Sequence, residues 1–284
     1  MEEHGKNNVT SLHCITHQQA LCAKVAEFQE TMNQVNQIII YIRSNALRHR
    51  QFRALLEDNE ESAEDVLYYA PIQWLSQGES ACRVLNLRQE ISTFYATKNK
   101  QCPLDDANFL LALAFCVDVL ACINKLNLCL QGKALTVCHV YRKVQEFMDK
   151  CRLLQSHIMQ KQYFHFPKLS ALVEQHVVDE HDVPTTAFTA VFDSILKEFN
   201  DRFQDFQAMK TKLKLVSAPH TVETESSPLE FQMELLELKS DDILIKKFDN
   251  GADLLEVWKS AVAYPKLREL ARNTLVLFRE YIFM

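Results

Sequence analysis

His13, Cys14 and His17 place three metal-ligating side chains within five residues, and Cys14 and His17 share a face if the segment is helical. Zinc takes four ligands in a tetrahedral array, and the chain contains neither a CxxC pair nor an HExxH motif. A helix-start cluster with structural hydrogen bonds is therefore the expected reading, with no metal and no cofactor. Nucleophile chemistry has no better footing, because Ser80 follows Gly78 without the second glycine of a GxSxG elbow. Asp105 and Asp106 adjoin at an expected helix start, where negative charge suits the helix dipole, so they read as caps rather than as a catalytic pair. Arg43, Arg48, Arg50 and Arg53 surround His49 within eleven residues, a density that phosphate binding requires. The acidic run EDNEESAED, Glu57 to Asp65, partly offsets that patch, and a solvated helix face is the competing reading.

Composition narrows the classes further. Gly5, Gly78, Gly132 and Gly251 are the only glycines and lie tens of residues apart, so no dinucleotide-binding GxGxxG and no P-loop can form. Four Gly and seven Pro in 284 residues also argue against a turn-rich all-β fold. Apolar residues at 48% suffice for a sizeable core. A net charge of -6 disfavours indiscriminate attraction to nucleic acid or membrane by the whole chain. Most of that charge is local: Glu223 to Glu256 holds ten acidic and three basic side chains, a net of -7. The nine cysteines are odd in number and confined to Cys14–Cys151, and the start MEEHGKNNVT has no signal-peptide core. Reduced thiols in a nuclear or cytosolic protein are expected. No uninterrupted apolar run reaches the roughly 18–20 residues of a membrane span, so no membrane partner is expected.

The elements that must position these groups are mainly helices. Leu21, Val25, Phe28, Met32 and Val35 alternate four and three apart, which predicts one helix over about 18–53. Val66 to Ser76 is β-prone and interrupted by Pro71, and reads as an edge strand or extended segment. Helices are expected over 79–97, 104–131 with Gly132 as the stop, 135–160, 168–178 and 185–215. The seam Val137, Val140, Val144, Phe147, Cys151, Leu154 and Ile158 is that of a packed bundle helix. Phe188, Phe192, Ile195, Phe199, Phe203, Phe206, Met209 and Leu213 form a second stripe. Ser217 to Pro228 reads as a linker, and Leu229 to Leu236 alternates as a strand.

Several of these stretches, taken in order, resemble the hAT superfamily of DNA transposases. The CxxH segment SLHCITHQQALCAK is followed by LRHRQFRALLE, YYAPIQWLSQG, VLNLRQEISTF and INKLNLCLQGK, then by FQMELLELKSD and VWKSAVAYPKLRELA. The resemblance covers nearly the whole chain after about residue 10. It extends to vertebrate genes domesticated from such elements, among them the transposase-like tail of general transcription factor II-I repeat-domain proteins.

The resemblance implies a mainly helical fold, a long-helix bundle with an incomplete RNase H-like α/β remnant. Residues 1–77 would be a remnant of the RNase H-like core, 78–216 the helical insertion, 217–228 a linker and 229–284 a C-terminal RNase H-like and dimerisation remnant. In the family the first two metal-binding aspartates precede the CxxH segment, and the third carboxylate is a glutamate near where this sequence stops, after Tyr281. All three are expected to be missing, so strand cleavage by the three-carboxylate, two-metal mechanism is not expected. Trp74 matches a tryptophan that stacks on a displaced DNA base in family members, but Gln73 stands at the family's arginine. A tryptophan packed under the insertion is the alternative. Cys14 and His17 keep a motif that shapes the core, and Trp258, Tyr264, Pro265 and Leu267 match the dimerisation region. The expected function is a non-catalytic, nuclear interaction module that self-associates or binds other proteins. The alternative is a residual DNA-binding protein using Trp74 and the Arg43–Arg53 cluster.

Overall fold

With few glycines to hand, several helices of this chain start at a side-chain cap, while Gly251 at φ 68° closes one of them. A computed structural model describes residues 26–58, 66, 74–131, 136–203 and 209–277. α1 spans Ala26–Arg43 and α2 Ala46–Asp58. The single helix expected over 18–53 is thus broken, because Asn45 Oδ1 accepts the backbone N–H groups of Leu47 and Arg48 at 2.9 and 3.0 Å and starts a new helix. α3 is Trp74–Asn86 and α4 Arg88–Thr97. The next helix, α5, is Ala107–Leu130, started by Asp106 Oδ1, which accepts from Asn108 at 2.8 Å. Asp106 is a cap, as its position at the helix start implies, while Asp105 accepts the Ser92 hydroxyl at 2.6 Å. α6 is Val137–Met159, α7 Pro167–Glu174 and α8 Thr185–Arg202. The short helices α9 (Lys210–Ser217), α10 (Gln232–Leu238), α11 (Asp242–Asp249) and α12 (Leu254–Ser260) precede α13, Pro265–Leu277.

The described residues contain no strand, and the mainly helical expectation holds. Leu229–Leu236, expected as a strand, is instead a 3-10 turn at Leu229–Phe231 running into α10. Phe231, Leu235 and Leu238, spaced four and three apart, are the buried set, so the helical period prevails over the alternation. Of the segment Val66–Ser76, only Val66 and 74–76 are described, and the latter are the first turn of α3. Gly132 lies outside the described residues. The helix expected over 185–215 ends at Arg202, with α9 following separately. Residues 217–228, read as a linker, carry a 3-10 turn at Pro219–Thr221, and Pro219, Val222 and Ser227 are buried.

The chain divides into two compact units. Of the described residues, those up to 128 and those of 148–198 form the larger, and those of 129–147 and 199–277 the smaller. In the larger unit α5 is the central helix. Fourteen of its residues are buried, and Phe115 gathers Phe28, Phe166, Phe188 and Phe192 at ring distances of 6.3, 6.0, 3.9 and 5.8 Å. Fully burying one such ring is worth roughly 1.5–3 kcal/mol. α5 is long and apolar enough to cross a membrane, but most of it is core here, and its Asp118 hydrogen-bonds the backbone at the start of α7. α3 approaches α5 closely at Gly78, where a Cβ would stand 3.1 Å from Asn124 Nδ2. All seven positions of the α6 seam, Val137 through Ile158, are buried.

In the smaller unit α13 packs on α9 and α12. Trp258 on α12 donates its indole N–H to the Val216 carbonyl at 2.8 Å, satisfying one of the open carbonyls at the end of α9. Its ring meets Phe248 edge-on at 5.4 Å. Glu234 on α10 accepts the N–H groups of Lys266 and Leu267 at 3.0 and 2.9 Å, capping α13 from a distant part of the sequence.

Candidate interaction surfaces

The larger unit presents a basic, aromatic surface where α1, α2 and the turn after α4 meet. The Tyr41 ring has the Arg48 guanidinium 4.6 Å and the Lys100 ammonium 4.7 Å from its centre, both within cation–π range. Tyr95 lies 4.5 Å away on α4, and burial raises its phenol well above the ordinary value. Lys98 reaches Gln51 at 2.7 Å and sits 5.4 Å from the Phe94 ring. Between the two lysines Asn99 adopts φ 50°, the left-handed turn that follows α4, and Lys98 reaches α2 while Lys100 reaches Tyr41 on α1.

The four arginines of the sequence cluster divide by role. Arg43 donates to the Val66 carbonyl and works inside the fold. Arg48 lies against Tyr41. Arg50 is exposed, with its Nε 3.4 Å from the Ala46 carbonyl, and Arg53 pairs with Glu57 at 3.7 Å. Lys98 and Lys100 were not singled out by spacing, since they lie 45 residues or more beyond the arginines; two lysines flanking an asparagine at a helix end are the signal for them. Trp74 is the first residue of α3, and its side chain lies outside the described residues, as do Gln73, Cys14 and His17.

The smaller unit holds a groove of about 600 Å³ between α12 and α13. Leu255, Trp258 and Leu275 line its apolar part, and Lys259, Arg268 and Arg272 line its charged part, with Glu269 among them and Pro265 at the start of α13. Lys259 pairs with Glu256 at 2.6 Å. Of the residues the resemblance associates with dimerisation, Trp258, Tyr264 and Leu267 are buried within the unit and only Pro265 is exposed. Tyr264 donates to Asp241 at 3.2 Å; burial first, and then the Asp241 carboxylate, raise its phenol above the usual value. These three side chains therefore shape the groove or its support rather than offering a free apolar surface themselves.

Asp118 and His139, away from both surfaces, depart from their ordinary values in opposite directions. Burial pushes Asp118 up to about 6, against the N–H bonds from Leu169 and Lys168 that favour its charged form. Burial, then Arg142, lowers His139, whose Nδ1 is 3.0 Å from the Thr136 hydroxyl. No group of three His, Cys, Asp or Glu side chains fit to hold a metal occurs among the described residues. The seven described cysteines are all free thiols.

Residues 13–159 match the family described as the FAM200/GTF2IRD2 helical domain, more than half of the chain and ending where α6 ends. The chain belongs to the FAM200/GTF2IRD2-like family. It is similar to General transcription factor II-I repeat domain-containing protein 2 of Bos taurus, 28% identical over 274 residues that make up 96% of this chain and 28% of that protein. The protein of the same name from Mus musculus is 28% identical over 275 residues, 95% of this chain and 28% of its own length. This FAM200/GTF2IRD2-like chain thus spans little more than a quarter of the curated relatives it matches. No solved structure matches it. The basic surface lies inside the family's helical domain, and the groove lies beyond it.

Proposed function

We propose that the chain is a non-catalytic interaction module, descended from a hAT-type transposase, that works in the nucleus by associating with itself or with other proteins. The observation that carries this reading is the groove between α12 and α13. It combines an apolar floor with a cationic rim, and Trp258 and Pro265 of the resemblance's association region line it. A concave apolar site edged by charge is the kind of surface that takes a helix from a partner. The name of the two relatives, a general transcription factor repeat-domain protein, supports a nuclear setting. On this reading 78–216 descends from the transposase insertion and the flanking segments from its RNase H-like core. That descent is one of sequence, since the described residues of 229–277 are helical.

The test is the molar mass of the purified chain by size-exclusion chromatography with light scattering, beside an incubation with hairpin DNA and Mn²⁺. A monodisperse assembly larger than one chain, with intact DNA, is expected. A monomer at every concentration overturns the self-association, and metal-dependent cleavage overturns the non-catalytic reading.

The basic surface around Tyr41 favours a second reading, residual DNA binding. Arg48, Lys98, Lys100, Arg50 and Arg53 would contact phosphates, with Trp74 stacking on a base. Binding should weaken steeply with salt, and each neutralised contact should reduce the magnitude of the log–log salt slope by about one. Binding indifferent to salt, to Lys100→Gln and to Trp74→Ala would sink it.

A further inference from the structure

Besides its groove, the smaller unit exposes an apolar stripe. Leu229, Met233 and Leu236 are 85%, 70% and 51% exposed, and their spacing of four and three places them along one side of the 3-10 turn Leu229–Phe231 and of α10, which follows it directly. Glu230 and Glu237, both exposed, flank the stripe two turns apart. A surface helix ordinarily keeps its apolar residues inward, so three large apolar side chains in register on the solvent side mark a contact face.

The opposite side of α10 is already engaged. Leu235 and Leu238 are buried, and Glu234 holds the first N–H groups of α13. With its inner side fixed to its own α13, the stripe is left for another molecule. The groove has the complementary character: half-buried Leu255, with Trp258 and Leu275 buried beneath it, lines an apolar floor, and Arg268 and Arg272, one turn apart on α13, offer two exposed cations. Its wall from Pro265 to Leu275 runs about 15 Å at 1.5 Å per residue, and α10 at seven residues is about 10 Å long. An acidic, apolar-striped helix of two turns fits it in length, polarity and charge.

We infer that the groove receives the α10 stripe of a second copy of this chain, with Leu229, Met233 and Leu236 against its apolar floor and Glu230 and Glu237 toward Arg268 and Arg272. Because one unit carries both halves, a twofold arrangement makes the exchange twice and doubles the contact. The inference rests on the self-association proposed above and names its two faces.

The experiment reverses charge on each face separately and then mixes the two variants. Full-length Arg268→Glu/Arg272→Glu and Glu230→Lys/Glu237→Lys chains are measured by sedimentation equilibrium, alone and mixed in equal amounts. Each alone should weaken self-association at least tenfold, about 1.4 kcal/mol. The mixture should recover the wild-type assembly, since groove and stripe are again opposite in charge at both contacts. Met233→Ser, at an exposed position, should weaken association while its melting temperature, taken at a dilution where the wild type is monomeric, stays unchanged, which separates lost docking from lost folding. Either charge variant assembling as the wild type does, or a mixture that fails to recover, overturns the inference while leaving self-association standing. A monomeric wild-type chain overturns both.

Discussion

The carboxylate of Asp118, in the middle of α5, lies 3.0 Å from the backbone nitrogen of Leu169, fifty-one residues further along. Both its oxygens also accept from Lys168, at 3.1 and 3.0 Å. Pro167 opens α7 without a donor, so the first two N–H groups the helix offers are taken by a side chain from the centre of the bundle. Burial raises this carboxyl to about 6 from its ordinary value of 3.8. The folded chain therefore takes up a proton as pH falls through about 6, before the unfolded chain does. Asp118 adds stability that is complete below about pH 4 and is lost as pH rises through 6. Asp118→Asn, which keeps an acceptor and drops the charge, should melt higher than the parent at pH 8 and remove its share of the pH dependence between 4 and 6. Asp118→Ala leaves two donors unpaired and should cost about 1–3 kcal/mol at either pH. Thermal melts of the three proteins at pH 5 and 8 decide this.

Trp258 should behave as a structural tie. Its indole N–H closes the end of α9 through Val216, and its ring sits edge-on to Phe248. Trp258→Phe keeps an aromatic ring but orphans that carbonyl, for a loss of about 1–3 kcal/mol. Trp258→Ala also opens a cavity and should cost about 3–5 kcal/mol. Urea denaturation separates the two. Equal midpoints for wild type and Trp258→Phe would show that the hydrogen bond adds nothing.

The thiols should divide by burial. Cys129 is exposed, whereas Cys102, Cys116, Cys138 and Cys151 are buried. Burial pushes Cys102 up to about 11 and Cys138 to about 12, and it raises Cys116 as well. The thiolate is the reacting form, so these groups are doubly protected. A short iodoacetamide pulse at pH 8, read by peptide mass mapping, should label Cys129 in the native chain and reach the four buried cysteines only in denaturant. Native labelling of Cys116 would contradict its place in the α5 core.

Long-period signals were legible in the sequence, and tertiary contacts were not. The α6 seam is buried at every predicted position, because a repeat of three and four over 22 residues admits one helical face. The Asp105–Asp106 pair at a helix start was legible as capping, since a cap acts on its neighbours, but only Asp106 caps the helix, and Asp105 accepts the Ser92 hydroxyl instead. Leu229–Leu236 was misread because eight residues can satisfy both periods, and only the burial of Phe231, Leu235 and Leu238 chooses between them. The break at Asn45 was masked by apolar continuity on both sides. Of the candidate sites, the arginine cluster was visible as local density, but Lys98, Lys100 and the Tyr41 ring that Arg48 shares with Lys100 are brought together only by α1, α2 and the turn after α4. The groove left still less trace: Arg268 and Arg272 look like any solvated helix face until Leu255 and Trp258 are set opposite them.

Glu234 links the stripe to the groove. Its two oxygens accept from Lys266 and Leu267, so one side chain on α10 fixes the start of α13, which forms a groove wall. Glu234→Gln keeps one acceptor oxygen and should lose about 0.5–1 kcal/mol, whereas Glu234→Ala frees both donors and should lose about 1–2 kcal/mol. Hydrogen exchange adds a local reading. In Glu234→Ala the amides in the first turns of α13 should exchange faster, while those at the centre of α5 keep their protection. Loss of protection in α5 to the same extent would mean that the cap serves global stability rather than the placement of α13.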